Sequence, residues 1–320
     1  MFKLVRTGLM VLMMAGAATQ LVRAQEFPAR AVTIIIPNSP GSAPDLMARV
    51  VATGMAKVLN QSVIVENKAG AEGIIGLEYV ARQMPADGYT LVAVYVPQLV
   101  TLPLITRELR FDALRDLPPV AGLGEIRWAL STAASFPWKS FNEMVIYGRA
   151  NPGKLNFGTS SALSRLTAEA LLRDLGISAT IVPYKGGSPL NVALASGESH
   201  IGFHSEQSAA ALGAKLRVLA ITGDRRLPTF PDAVTFRELG LPQIQGLEFT
   251  FNLRAGTPRP IVDKLYSAVS QALRLPEVRA QLVRMQLDVI DQTPAVAAES
   301  LVRQAAFFAD IAKKAGLQPQ

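Results

Sequence analysis

Cysteine is absent from this chain of 320 residues, which excludes disulfides, thiolate metal sites, a cysteine nucleophile and the acylated cysteine of a bacterial lipoprotein. Histidine is nearly absent, with His200 and His204 the only two. On a strand that spacing puts both on one face about 13 Å apart, too far for one metal ion, and no HExxH context offers a helical zinc site. No GxSxG elbow is present. Gly70, Gly73 and Gly76 are spaced GxxGxxG rather than GxGxxG, and no acidic residue closes a following strand, so a dinucleotide loop is rejected. Lys185-Gly186-Gly187-Ser188 has the wrong order for a P-loop and lacks its upstream glycine. Basic tracts and the common nucleic-acid motifs are also missing. No cofactor, no metal and no nucleic-acid partner is expected.

Long apolar runs are scarce as well, and none reaches the length of a membrane span. The run Gly8 to Ala18 follows Lys3 and Arg6 and precedes Val22-Arg23-Ala24, the pattern of a signal peptide cleaved after Ala24. The mature protein is expected to be soluble and periplasmic. Losing Lys3, Arg6 and Arg23, and no acid, takes the formal charge from +7 to +4, a mild preference for anions.

What the chain does contain is 49% apolar residues, ample for two domains with cores of their own. Its organising stretch is Ala31 to Arg49, AVTIIIPNSPGSAPDLMAR. Val32 to Ile36 reads as a central strand of a parallel sheet. Leu46, Met47, Val50, Val51, Met55, Val58 and Leu59 form the apolar stripe of a helix. Ser42 and Asp45 fit its N-cap and N3 positions, with Pro44 in the first turn. A helix N-terminus at the carboxyl end of a strand presents unpaired N–H groups where anions bind, and Pro40, Gly41 and Ser42 leave room for a close approach. An ordinary strand, turn and capped helix would look the same.

Strand and helix then alternate. Ser62–Glu66 and Tyr89–Val96 are predicted strands around a helix over Gly73–Met84, and a Pro-containing passage near Phe111–Pro119 leads through Val120–Glu125 to a second lobe. There, strands at Trp128–Ala133, Leu155–Phe157, Ile181–Tyr184, His200–His204 and Leu216–Thr222 are predicted, with helices at Phe141–Ala150, about Leu163–Leu175 and Pro189–Ala195. The strand entering Gly158-Thr159-Ser160-Ser161 ahead of a helix repeats the organising feature. Gly223 to Pro231 reads as the crossing back, followed by a strand at Gly246–Leu253 and helices at Pro260–Leu273, Pro276–Met285 and Pro294–Ala315. Tyr184 and Tyr95, at strand ends, each offer a ring face and a hydroxyl to a site, and each equally suits core packing. Lys185 is either a solvent-facing loop residue or part of a cleft mouth.

Six segments in register resemble one family over nearly the whole mature chain: IIIPNSPGSAPDLMAR, VIVENKAGAEGIIGLEYVAR, ADGYTL, ANPGKLNFGTSS, VPYKGGSP and PTFPDAVTFRELGLP. The family is the periplasmic solute receptors of tripartite tricarboxylate transporters, the Bug-type receptors. The resemblance implies an α/β fold, a two-lobed type II periplasmic binding protein or Venus flytrap, each lobe a mainly parallel sheet flanked by helices, closing over a ligand that is commonly a carboxylate. Lobe 1 is expected at 25–124 and 224–320 and lobe 2 at 125–223.

By the same resemblance the first binding loop maps to Pro37 through Asp45, with Asn38, Pro40, Gly41, Ser42, Ala43 and Asp45 as ligand-binding candidates. The second maps to Gly158 through Ser161, with Thr159, Ser160 and Ser161. Further lining maps to Tyr184 and Gly186 and to the strand end at His204 and Ser205; Tyr95 joins them from its strand-end position. The chain departs from the family pattern within these segments. Asn38 stands where an aromatic is usual and Ser42 where a glycine is; Glu72 and Ile74 replace a glycine and an asparagine; the second loop is about two residues shorter after Ser161. His200 and His204 occupy positions usual for aspartate, making the cleft less negative and adding a group that titrates near neutral pH. The expected ligand is an organic anion bulkier than, or shaped differently from, a short dicarboxylate.

The function expected is a non-catalytic receptor that captures a small organic carboxylate and delivers it to a membrane permease of the tripartite tricarboxylate type. The rivals are a receptor presenting its ligand to a membrane sensor ectodomain, a secreted hydrolase using Ser160 or Ser161, and a protein-interaction module.

Overall fold

The computed structural model describes residues 27–314 except 224 and 286. The expected signal segment, 1–24, lies outside the described residues. The first half opens with β1 (Val32–Ile36), α1 (Ala43–Leu59) and β2 (Val63–Asn67). Strand β1 is apolar on both faces because both are covered. Val32, Ile34 and Ile36 join the core beneath α1, while Ile35 joins the core on the opposite side of the sheet. Such two-sided burial is what a β-branched run without alternation signals.

The next predicted helix, Gly73–Met84, is broken. A 3₁₀ turn at Ala71–Gly73 leads into α2 (Ile74–Glu78), and a π-helical turn at Tyr79–Gln83 follows. Ala71, Glu72 and Gly73 all have positive φ (46°, 55° and 98°), so a regular helix begins only at Ile74. After β3 (Thr90–Tyr95) comes a helix that the sequence pattern does not reveal, α3 (Val96–Ile105). Its sequence, VPQLVTLPLI, has almost no polar face, because the helix is packed between the sheet and the last helix; without amphipathicity there is no helical period to see.

The chain continues through α4 (Ala113–Asp116), β4 (Pro119–Ile126), β5 (Trp128–Ala133), α5 (Phe141–Ala150), β6 (Leu155–Thr159), α6 (Ala162–Asp174), β7 (Ala179–Pro183) and α7 (Gly187–Ser196). Then follow β8 (Ile201–Ser205), α8 (Glu206–Leu212), β9 (Leu216–Ile221), β10 (Val234–Thr235), β11 (Leu247–Leu253), α9 (Arg259–Arg274), α10 (Pro276–Arg284), β12 (Asp288–Gln292) and α11 (Pro294–Lys314).

Two six-stranded sheets result, in the orders β12-β4-β11-β3-β1-β2 and β10-β9-β5-β8-β6-β7. Both are mixed. The parallel part of the first is β2-β1-β3, and β11 runs antiparallel to β3 and β4. In the second, β7, β6 and β8 are parallel and β5 runs antiparallel between β8 and β9.

The chain passes between the sheets in two places. Glu125 pairs with Glu248 and Asp288 in the first sheet, so Arg127 alone separates the last residue of β4 from the first of β5. On the return, β10 pairs with β9, and Phe236 and Ile244 lie in the core of the second half. The chain therefore leaves the second sheet between 236 and 246, after the Pro-rich 223–231 passage, because these apolar side chains have a core to enter there. Helix α11 spans the two halves: Leu301 and Phe308 pack with Ala170 of α6 and with Leu99 and Leu102 of α3.

Gly54 on α1 fixes how closely α9 approaches. A Cβ there would lie 2.8 Å from Ala272 Cβ and 2.9 Å from Val278 Cγ2. Gly54→Val is expected to push the helices apart and cost about 1–3 kcal/mol of stability, as overpacking does, read as a lower urea midpoint.

Candidate functional site

A cavity of about 500 Å³ lies at the carboxyl ends of β1, β2 and β3, facing the start of α6 in the second half. Its wall comes from Pro37, Asn38 and Ser39 after β1, and from Ala69, Gly70, Glu72 and Gly73 after β2. Tyr95, Pro97, Gln98, Thr101, Leu102 and Ile105 come from the end of β3 and from α3, and Ser161, Leu163 and Leu166 from α6. A larger cavity, about 970 Å³, opens on the crossing side between Glu125, Arg237, Glu248 and Arg303. The smaller one is the better candidate because helix N-termini meet there. Helices α3 and α6 begin in its wall, and α1 begins four residues beyond Ser39, the last wall residue of the first loop; helix starts carry partial positive charge.

The first loop is held from beneath. Asp45, 2% exposed, accepts hydrogen bonds from the Gly41 N–H (2.9 Å), Arg49 Nε (3.0 Å) and Asn67 Nδ2 (3.0 Å). Asn67 Nδ2 also donates to the Asn38 carbonyl at 3.1 Å, tying the loop to β2. Burial pushes the Asp45 carboxyl up, but hydrogen bonds from Arg49, Gly41 and Asn67 and the Arg49 charge outweigh it and hold the group below its ordinary value. Ser42 is the N-cap of α1, as expected, but its hydroxyl makes no cap bond; Oγ is buried without a partner. The capping box expected there is found instead on α6, where Ser161 Oγ accepts from Ser164 N–H and Ser164 Oγ accepts from Ser161 N–H.

The second and third turns of the wall lock together. Gln98, 5% exposed, donates from Nε2 to the Glu72 carbonyl at 2.7 Å. A Cβ on Gly73 would sit 2.1 Å from that nitrogen, and the glycine's φ of +98° disfavours any side chain there,. Glu72 is the one charged residue in the cavity wall among the described residues. Burial and the Glu72 carboxylate together push the Tyr95 phenol up.

Of the candidates from sequence, Asn38, Tyr95 and Ser161 border this cavity. Pro40 and Gly41 are exposed in the same loop, Ala43 begins α1, and Asp45 points into the protein. Thr159 is buried at the end of β6, and the Ser160 N–H is taken by Ser164 Oγ. Tyr184 donates to Glu198 Oε1 at 3.0 Å and accepts from Ser199 Oγ at 3.1 Å. Gly186 caps α7 and Ser205 caps α8. Glu72 drew attention in the sequence as a departure from a glycine; Gln98, Thr101, Leu102 and Ile105 went unnoticed with the helix that carries them.

His204 corrects an expectation. It is 5% exposed, with Nε2 2.8 Å from Ser131 Oγ and Nδ1 3.0 Å from Asn191 Oδ1, and burial pushes it down to about 4 rather than leaving it to titrate near neutrality. This Ser–His–Asn chain has the connectivity of a nucleophile, base and orienting group, but Ser131 has no exposed surface for a substrate to reach,. His200 is committed elsewhere, accepting the Asn156 N–H at 2.8 Å. Among the described residues neither ring is hydrogen-bonded to Ser160 or Ser161.

Two mixed sheets flanked by helices, joined by short crossings, with helix N-termini gathered on one cleft, define a two-lobed solute-binding protein. The chain belongs to the tripartite tricarboxylate transporter family receptors, whose pattern it matches over residues 47–316. It is 33% identical to Protein BugT of Bordetella pertussis over 269 residues, 81% of this chain and 81% of that one. Two solved structures are similar in fold and sequence. One is MatC from Rhodopseudomonas palustris with bound malate (30% identity, TM-score 0.64, covering 89% of this chain and 100% of that one). The other is an R. palustris protein solved with adipate (29% identity, TM-score 0.67, covering 92% and 100%). The family and fold are those of receptors, not enzymes.

Two pH-linked outcomes follow from the geometry. Because Asp45 is held below its ordinary value, its contribution is complete above about pH 4 and is lost as pH falls through the lower folded-state value. Asp45→Asn is expected to cost about 1–3 kcal/mol at pH 7, with the gap to wild type closing below about pH 4 in urea titrations. His204 acts in the other window. The unfolded imidazole, near 6.5, takes up a proton that the buried one refuses, so stability falls as pH drops from about 6.5 toward about 4. His204→Gln is expected to flatten that decline in melting temperature, while lowering stability at pH 7 because Ser131 and Asn191 lose their shared partner.

Proposed function

We propose that this receptor captures a small organic carboxylate in the 500 Å³ cavity and delivers it to a permease of the tripartite tricarboxylate type. The observation that carries the reading is that two helices, α3 and α6, start in the wall of a cavity whose described wall contains no lysine or arginine. Such a wall takes an anion through backbone N–H groups and bound water instead of a guanidinium clamp. The malate and adipate of the two similar structures support the same class. Because the wall combines residues before α1 and within α3 with the start of α6, solute binding draws the two halves together, with hinge motion at Arg127 and in 236–246. Residues 27–126 and 247–314 form one lobe in this reading and 128–235 the other, and residues 1–24 direct export to the periplasm.

Calorimetric titration with aliphatic and aromatic mono-, di- and tricarboxylates, on protein unfolded and refolded to strip carried solute, tests the proposal. Saturable binding of one class is the expected result; folded protein silent across the panel would refute it. Leu163→Glu, which sets a like charge in the cavity wall, is expected to weaken that binding at least tenfold, with a circular dichroism melt separating lost binding from lost folding, since Leu163 also packs against both cores.

A further inference from the structure

The chemistry of the cavity wall asks for more than a carboxylate. Its single charged residue is an acid, Glu72, placed at the mouth on a backbone with φ of 55°. No cation pairs with its carboxylate among the described residues. Beside it, Gln98 is oriented without ambiguity: its Nε2 must face the Glu72 carbonyl, since the reversed amide would set two oxygens 2.7 Å apart,. That leaves Gln98 Oε1 buried and without a hydrogen-bond partner, and Asn38 Oδ1, also in the wall, is in the same condition. Buried acceptors left unpaired are costly and uncommon. A carboxylate supplies no donor to satisfy them and is repelled by Glu72. Leu102, Ile105, Leu163 and Leu166 give the wall an apolar stretch, and Ser39, Thr101 and Ser161 add hydroxyls.

We propose that the solute is a zwitterion: a carboxylate that also bears an ammonium group, the carboxylate received at the helix N-termini and the ammonium at the Glu72 side near Asn38 Oδ1 and Gln98 Oε1, with an apolar body between them. The proposal rests on the cavity being the solute site. An acid at this position gives specificity through repulsion as well as attraction, disfavouring dianions of the same length.

The test compares pairs of one chain length that differ in a single end group: adipate with 6-aminohexanoate, succinate with 4-aminobutanoate, and 4-methylpentanoate with leucine. Each is titrated calorimetrically into the purified protein and into Glu72→Gln. That variant leaves the backbone carbonyl that holds Gln98, and a circular dichroism melt shows whether it folds as wild type does. The expected result is that in at least one pair the ammonium-bearing member binds more tightly. Glu72→Gln should then cut that preference about five-fold or more, the size of one ion pair at a partly exposed site, with the member lacking the ammonium bound equally or better. Tighter binding of the members without an ammonium in every pair, or a preference unchanged by Glu72→Gln, would overturn the zwitterion while leaving the carboxylate receptor standing. If no member of any pair and no other carboxylate binds to folded protein, both fall.

Discussion

A buried carboxylate underlies the candidate binding face of this receptor. Asp45 sits at the start of α1 and gathers the Gly41 N–H, the Arg49 guanidinium and the Asn67 amide around itself. Those bonds join the loop after β1, the helix that follows and the neighbouring strand into one unit. The charge is tolerated in the interior because its oxygens have donors on several sides and the helix N-terminus adds favourable potential. The loop is thereby held in a fixed geometry, as preorganised binding requires.

The crossing between the halves has a comparable centre. Arg127, 3% exposed, lies between β4 and β5, where it donates to the Arg225 carbonyl at 2.8 Å and contacts Asp288 of β12, with Glu125 of β4 3.4 Å from its Nε. Removing one member of the group would leave an uncompensated charge at the crossing. The two sheets thus meet through one ordered residue on one path and a longer segment on the other. Helix α11 lies across both halves, with Asp310 3.7 Å from Arg173 of α6.

Most regular elements were legible because their burial is one-sided or their sequence is uniformly β-branched. The apolar stripe of α1, the alternation of charge and apolar residues in α9 to α11, and the run VTIII all carry a period or a length that local physics reads directly. The segments that were not legible share another property. Helix α3 is apolar all round, residues 71–73 are bent by tertiary contacts into positive φ, and β12 is held at a sheet edge by an irregular pairing with β4. In each, the information lies in what the segment touches.

The division at the site is the same. The sequence by itself determined that strands would end at small polar loops opening helices, and hence that anions would be drawn to helix N-termini, because capping residues and strand runs act over a few positions. Only the tertiary structure decided which of those loops meet. It brought Asn38, Tyr95 and Ser161 to one cavity, turned Asp45 inward as a support, and enclosed His204 with Ser131 and Asn191 so that burial, not solution chemistry, sets its titration. It also placed Glu72 and Gln98 side by side across 26 residues of chain. The reason is physical: side-chain direction, desolvation and the meeting of distant elements are fixed by packing, which no local pattern encodes.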